Sequence, residues 1–129
     1  MIEVSNLSNS KFNLSIIEKI YEEFCLRHGF KSDVSLVFVD DARMREINND
    51  YRGINKTTDV LSFEGLNEIF ISLDQVLRQA EELKLDPERE LYFIVAHGLL
   101  HLIGYNDDNE VDRLEMISLG NDILNSLEI

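Results

Sequence analysis

The stretch Glu90-Leu91-Tyr92-Phe93-Ile94-Val95-Ala96-His97-Gly98-Leu99-Leu100-His101-Leu102-Ile103-Gly104-Tyr105-Asn106-Asp107 decides how this chain is read. From Glu90 to Ile103 it is apolar almost all round, and a helix without a polar face belongs inside a protein, packed by its neighbours. His97 and His101 interrupt it. At about 100° per residue, helical positions four apart lie roughly 40° apart in angle and about 6 Å apart along the axis. The two imidazoles therefore share one face and can grip one cation. Gly104 supplies the residue that most readily takes a positive φ, so it ends the helix and lets the chain turn Asp107 back toward the same point. Had the helix run on, Asp107 would lie about 240° round from His101.

Two neutral nitrogens and one carboxylate oxygen suit Zn²⁺, one ion per chain, with a fourth position left for water or substrate. An open position implies catalysis rather than structure. Asp108 rivals Asp107 as third ligand, because the turn after Gly104 can absorb one more residue; otherwise it reads as the N-cap of the last helix. His28 precedes Gly29 at a helix end, where a cation favours the dipole. The protease signature H-E-x-x-H places a glutamate general base beside the first histidine, and Gly98 stands there instead, which sets ordinary metalloprotease chemistry aside. The same ligand set matches the two-His, one-carboxylate triad of iron oxygenases, a reading disfavoured because nothing in the chain suggests a cosubstrate site.

Outward from this helix, Ile2-Glu3-Val4 reads as an edge strand and Asn13 as the cap of an amphipathic helix from Leu14 through Arg27, stopped by Gly29. Val34 to Val39 is a β-branched and aromatic run, and Asp40-Asp41 opens a helix through about Asp50. Asp59 to Phe63 and Glu68 to Ser72 read as two strands joined by a tight hairpin around Gly65. Helices follow over Asp74–Lys84, from Asp86-Pro87-Glu88 onward, and over Val111–Leu127. The strands gather in the first half and the helices in the second, so the fold class is α+β: a small mixed sheet of about four strands packed by about five helices, with the metal-binding helix buried at its centre.

At 129 residues and 15.0 kDa the chain has the size of one domain, expected to span residues 1–129. With 44% hydrophobic and 29% charged residues it has globular composition, which excludes a disordered or fibrous chain. The single Cys25, among apolar neighbours, excludes an internal disulfide framework and reads as a buried thiol. No run is long and apolar enough for a membrane span, and Met1-Ile2-Glu3-Val4 lacks the pattern of a signal peptide, so a cytoplasmic location with no membrane partner is expected.

The formal charge of −13 repels a polyanion at long range, which counts against a bulk nucleic-acid binder. The charge is uneven, however. Arg43, Arg45, Arg52 and Lys56 stand against Glu46 and Asp50 in residues 43–56, whereas the tail from Asp107 holds seven acids and only Arg113. A phosphate contact belongs in the first of these stretches.

The segment His97 to Asp107 resembles the signature of the YbeY family of bacterial endoribonucleases, His-Gly-x-Leu-His-Leu-x-Gly-Tyr-Asp-His, at every fixed position but the last two. A second block, Tyr51-Arg52-Gly53 through Lys56 to Thr58-Asp59-Val60-Leu61-Ser62-Phe63, resembles the family's other signature, in the same order and spacing. The resemblance implies a small mixed sheet packed by helices, a zinc ion held by three residues and single-strand-directed endoribonuclease action. It places that action in maturation of the 3′ end of 16S ribosomal RNA and in ribosome quality control, with small-subunit ribosomal proteins and a ribosome-assembly GTPase as possible partners. It puts the family's zinc ligands on His97, His101 and Asp107 and its functional arginine on Arg52. The chain departs from the family in carrying Asp107 for histidine, Thr57 for the usual proline, and Glu64 in a very short loop where proline is common.

In the hydrolase reading Arg52 offers planar donors to a non-bridging phosphate oxygen; its alternative is a solvated arginine at a helix end. Asn106, Asp108 and Ser62 remain open as the general base, beside a metal-bound hydroxide. Tyr51 and Tyr105 can stack on a base but read first as core or loop packing residues. A different class of reading keeps the zinc structural, in a ribosome-associated binding module.

Overall fold

A computed structural model of the chain describes residues 1–8 and 11–129. Its elements are β1 (Ile2–Asn6), α1 (Leu14–His28), β2 (Val34–Val39), α2 (Asp41–Arg52), β3 (Val60–Phe63), a 3₁₀ turn (Glu64–Leu66), β4 (Glu68–Ser72), α3 (Leu73–Glu82), α4 (Pro87–Leu102) and α5 (Glu110–Ser126). The strands form one mixed sheet in the order β1-β2-β4-β3, with β1, β2 and β4 parallel and β3 antiparallel to β4. This is the expected α+β arrangement, and Ile2–Asn6 is indeed an edge strand.

Local chemistry explains the element ends. Asn13 caps α1 by accepting from the Ile16 N–H, and Asp40 caps α2 by accepting from the Arg43 N–H at 2.8 Å. Pro87 opens α4 at a position where its missing N–H costs nothing. β3 and β4 form the expected tight hairpin, with Phe63 paired to Glu68 across a four-residue loop that contains Gly65. Its loop is a 3₁₀ turn, and the left-handed position falls on Asn67 (φ 50), a residue that tolerates that region, rather than on Gly65. Asp108 does not cap the last helix; Asn109 does, accepting from the Asp112 N–H at 2.9 Å.

Helix α4 is the centre of the molecule. Its residues Leu91, Tyr92, Ile94, Val95, Ala96, Leu99, Leu100 and Leu102 are buried against the inner face of the sheet and against α1, α3 and α5. Gly98 allows the closest approach: a Cβ there would lie 3.0 Å from Ile69 Cγ2 and 3.2 Å from Val60 Cγ2. A glutamate at this position has no room. The steric fit of α4 on the sheet thus explains the departure from the metalloprotease pattern. On the outer face, α2 covers one part of the sheet, packing Met44 and Ile47 over Val39 and Leu61. Cys25 is half-buried.

Candidate metal centre and cleft

Because α4 lies with Gly98 against β3, His97 and His101 emerge on its flank beside that strand. Their Nε2 atoms are 3.1 Å apart, and Asp107 Oδ2 is 3.5 Å from His97 Nε2. One ligand atom from each of His97, His101 and Asp107 lies within 4.8 Å of the other two. Asp108 is exposed and outside this group.

The end of α4 fixes the second ring. Gly104 takes φ +97, and the Tyr105 carbonyl then sits 2.9 Å from His101 Nδ1. A carbonyl only accepts, so Nδ1 carries the proton and the Nε2 lone pair faces His97. His97 is 13% exposed, and its Nδ1 is buried with no hydrogen-bond partner among the described residues. Every polar interaction of that ring is therefore made through Nε2. Burial, followed by the charge of His101, lowers the His97 pKa, against opposing effects of Asp107 and Asp59. The neutral ring, which is the metal-binding form, is favoured.

This donor set fits a divalent cation. Ligands about 2.0–2.1 Å from a tetrahedral zinc lie about 3.3 Å from each other; two of the three separations, 3.1 and 3.5 Å, bracket that value, and the third, between His101 and Asp107, lies within 4.8 Å. Three protein donors would leave a tetrahedral ion one position for water or substrate.

The group lies in a cleft of ≈ 700 Å³ whose wall includes Arg52, Asp59, Ser62, Glu64, Tyr105 and Asn106. Arg52 is the last residue of α2, and among the described residues it forms no ion pair, whereas Arg43 is engaged by Glu46 and Arg45 by Asn55. Of the three candidate bases, Ser62 donates its hydroxyl to the Gly98 carbonyl at 2.9 Å, tying β3 to α4. Asn106 accepts from the Asp108 N–H at 3.2 Å.

Two acids of the cleft wall were named in the sequence without a site role, Asp59 within the second block and Glu64 as a departure from the family pattern. Asp59 accepts from Gln79 Nε2 at 3.1 Å and from the Val60 N–H at 2.8 Å, and it acts electrostatically on His97. Glu64 Oε1 lies 3.6 Å from where a Cβ on Gly104 would stand. Asp59 belongs to the second sequence block, which was its one available signal.

The structure also places His28 and the two tyrosines. His28 ends α1 before the Gly29 cap, as expected; burial, then the charge of Arg27, lowers its pKa, and its ring packs 5.3 Å from Phe24 and 6.1 Å from Tyr105. Tyr51 is not a packing residue of the core, since 66% of it is exposed. Tyr105 does pack against the core.

A mixed α/β scaffold that gathers two helical histidines and a loop carboxylate in an open cleft defines a candidate metal-dependent hydrolase. The family model described as Endoribonuclease YbeY matches residues 2–128, and the chain belongs to that family. Relatives named Endoribonuclease YbeY include those of Clostridium beijerinckii, 35% identical with 100% of this chain and 98% of the relative covered, and of Acholeplasma laidlawii, 36% identical with 99% and 98% covered. The relative from Nitratiruptor sp. is 40% identical over 90% of this chain and 81% of its own length. Among solved structures, the solution structure of TM1509 from Thermotoga maritima superimposes with a TM-score of 0.70 at 25% identity, over 99% of this chain and 92% of that one. No helix of the described residues is long and apolar enough to cross a membrane.

Proposed function

We propose that this chain is a zinc-dependent, single-strand-directed endoribonuclease of one domain, acting in the cytoplasm on ribosomal RNA during its maturation. The observation that carries the reading is the convergence of His97, His101 and Asp107 within 4.8 Å in the cleft that Arg52 lines. Zinc held there would supply a Lewis acid and a water of lowered pKa.

The chain's own residues do the rest. His101, its proton committed to Tyr105, presents a lone pair without needing to reorient. Burial lowers the His97 pKa and so favours its neutral, ligating form. Arg52, free of any carboxylate partner among the described residues, meets a non-bridging phosphate oxygen with two parallel N–H donors as negative charge builds up there. Glu64 and Asp59 keep the cleft walls acidic, so a long polyanion is not held along them and binding stays local. A recognition role toward small-subunit ribosomal proteins or an assembly GTPase would use surfaces outside this cleft.

The test is cleavage of a single-stranded ribosomal RNA fragment by metal-stripped and zinc-reloaded protein, paired with elemental analysis of protein purified without chelators. Zinc at one per chain and zinc-dependent cleavage support the reading. Bound zinc without cleavage would make it a binding module with a structural metal, and iron in place of zinc would make it a member of another enzyme class.

A further inference from the structure

We propose that Tyr51 and Phe63 form a platform on which an unpaired nucleobase stacks beside the phosphate met by Arg52; this rests on the nuclease reading above. Side chains alternate along a strand. On β3, Val60 and Ser62 face α4, so Leu61 and Phe63 face outward. Helix α2 covers Leu61 but leaves Phe63 and Phe70 half-buried, with ring centroids 5.7 Å apart and planes at 80°. Tyr51 leans onto Phe63 from the last turn of α2, with centroids 4.5 Å apart, and still exposes 66% of its surface. A ring recruited only to complete a core buries itself. This one adds an accessible face to a row of aromatic rings.

What selects the occupant is the next residue. Arg52 lines the metal cleft, and consecutive helical side chains diverge by about 100°. The last turn of α2 thus sends a guanidinium into the cleft and an aromatic ring to the outer side of β3. A nucleotide has the matching halves, an anionic phosphate and a flat base. A base is free to stack only in single-stranded RNA, and every base offers a π-face, so the platform confers strand selectivity without sequence selectivity. The −13 charge makes it the more necessary, because attraction to the backbone does not hold RNA on this protein by itself.

The chain contains no tryptophan, so Tyr51→Trp creates a lone indole reporter on an exposed site. Metal-stripped Tyr51→Trp, which the zinc-dependent reading leaves unable to cleave, is titrated with a short single-stranded oligoribonucleotide and with the same oligomer lacking its bases. Quenching by the first and not by the second is expected. Wild-type, Tyr51→Phe and Tyr51→Ala proteins are compared in binding and cleavage, with circular dichroism as the folding check. Tyr51→Ala should bind the oligomer at least about fivefold more weakly, the lower end of the effect of removing one stacking aromatic. Its cleavage defect should appear in KM more than in kcat, and Tyr51→Phe should restore both. Equal quenching by the abasic oligomer, or unchanged affinity in Tyr51→Ala, overturns the platform and leaves this face to a protein partner. If wild-type protein fails to cleave RNA while base-dependent quenching persists, the nuclease reading falls and the platform stands.

Discussion

The His101 Nδ1–H donates to the carbonyl of Tyr105 across 2.9 Å, so one hydrogen bond both ties the turn after α4 to the helix and aims the His101 Nε2 lone pair at His97. That bond exists because Gly104 turns the chain at φ +97. Gly104→Ala meets no close obstacle, since the nearest atom to its Cβ is Glu64 Oε1 at 3.6 Å, and its penalty is conformational. The expected cost is about 1–2 kcal/mol of stability, together with weaker zinc binding as His101 loses its anchor. Urea unfolding of the metal-stripped protein and a competitive zinc titration measure the two separately.

His97→Ala and His101→Ala should each abolish stoichiometric zinc binding, because either leaves two protein donors. Asp107→Ala should weaken binding, Asp107→His should retain it, and Asp108→Ala should leave it unchanged, since Asp108 stands outside the converging group. Elemental analysis of the five purified variants checks the set. Zinc lost from Asp108→Ala but kept by Asp107→Ala would move the third ligand by one residue.

Arg52→Ala should preserve fold and zinc content while lowering RNA cleavage by on the order of tenfold or more, the scale of one charge-assisted contact. Arg52→Lys should recover only part of this, because an ammonium lacks the two-pronged geometry. In binding measurements, the salt slope of the wild type should correspond to only a few neutralised phosphates, at roughly 0.7 per phosphate for a single strand.

Asp41 gives the fold an acid-sensitive clasp. Its carboxylate accepts from Arg78 at 2.7 Å, Ser72 at 2.8 Å and Thr57 at 3.1 Å, joining α2, α3, β4 and the loop that leads into β3. The Arg78 hydrogen bond, aided by Ser72 and Thr57 and opposed by burial, holds its pKa below the ordinary 3.8. A carboxyl depressed in the folded state adds stability that is present above the unfolded value and is lost as pH falls through the folded value. Wild-type protein should therefore be more stable than Asp41→Asn at neutral pH, with the gap closing below about pH 3.8. Denaturation midpoints of both proteins across that range test the sign.

Much of this architecture was legible because local chemistry and packing agree along the chain. Asn13 and Asp40 cap the helices they precede, and the all-round apolar run before Ile103 does lie at the centre. The legible part of the site was the part on one helix, where spacing alone brings His97 to His101. What depends on how separate elements meet was not legible. Tyr51 looks like a packing residue until α2 is seen to end beside Phe63 with its ring in solvent. Asp59 and Glu64 enter the cleft only because β3 lies along α4. The hairpin between β3 and β4 was legible, but its 3₁₀ loop was not, because Asn67 rather than Gly65 takes the left-handed conformation. His28 sits at a helix end, as the sequence indicates, and its packing against Phe24 and Tyr105 is a tertiary contact that the sequence does not show.

The central claim is that His97, His101 and Asp107 hold a zinc ion on which RNA cleavage depends. The most direct measurement is cleavage of a single-stranded RNA by metal-stripped wild type and His101→Ala, titrated with zinc from zero to two equivalents. The account predicts that wild-type activity rises linearly and saturates at one equivalent, while His101→Ala stays inactive throughout. Full cleavage by the stripped wild type, or equal recovery by His101→Ala, would contradict it.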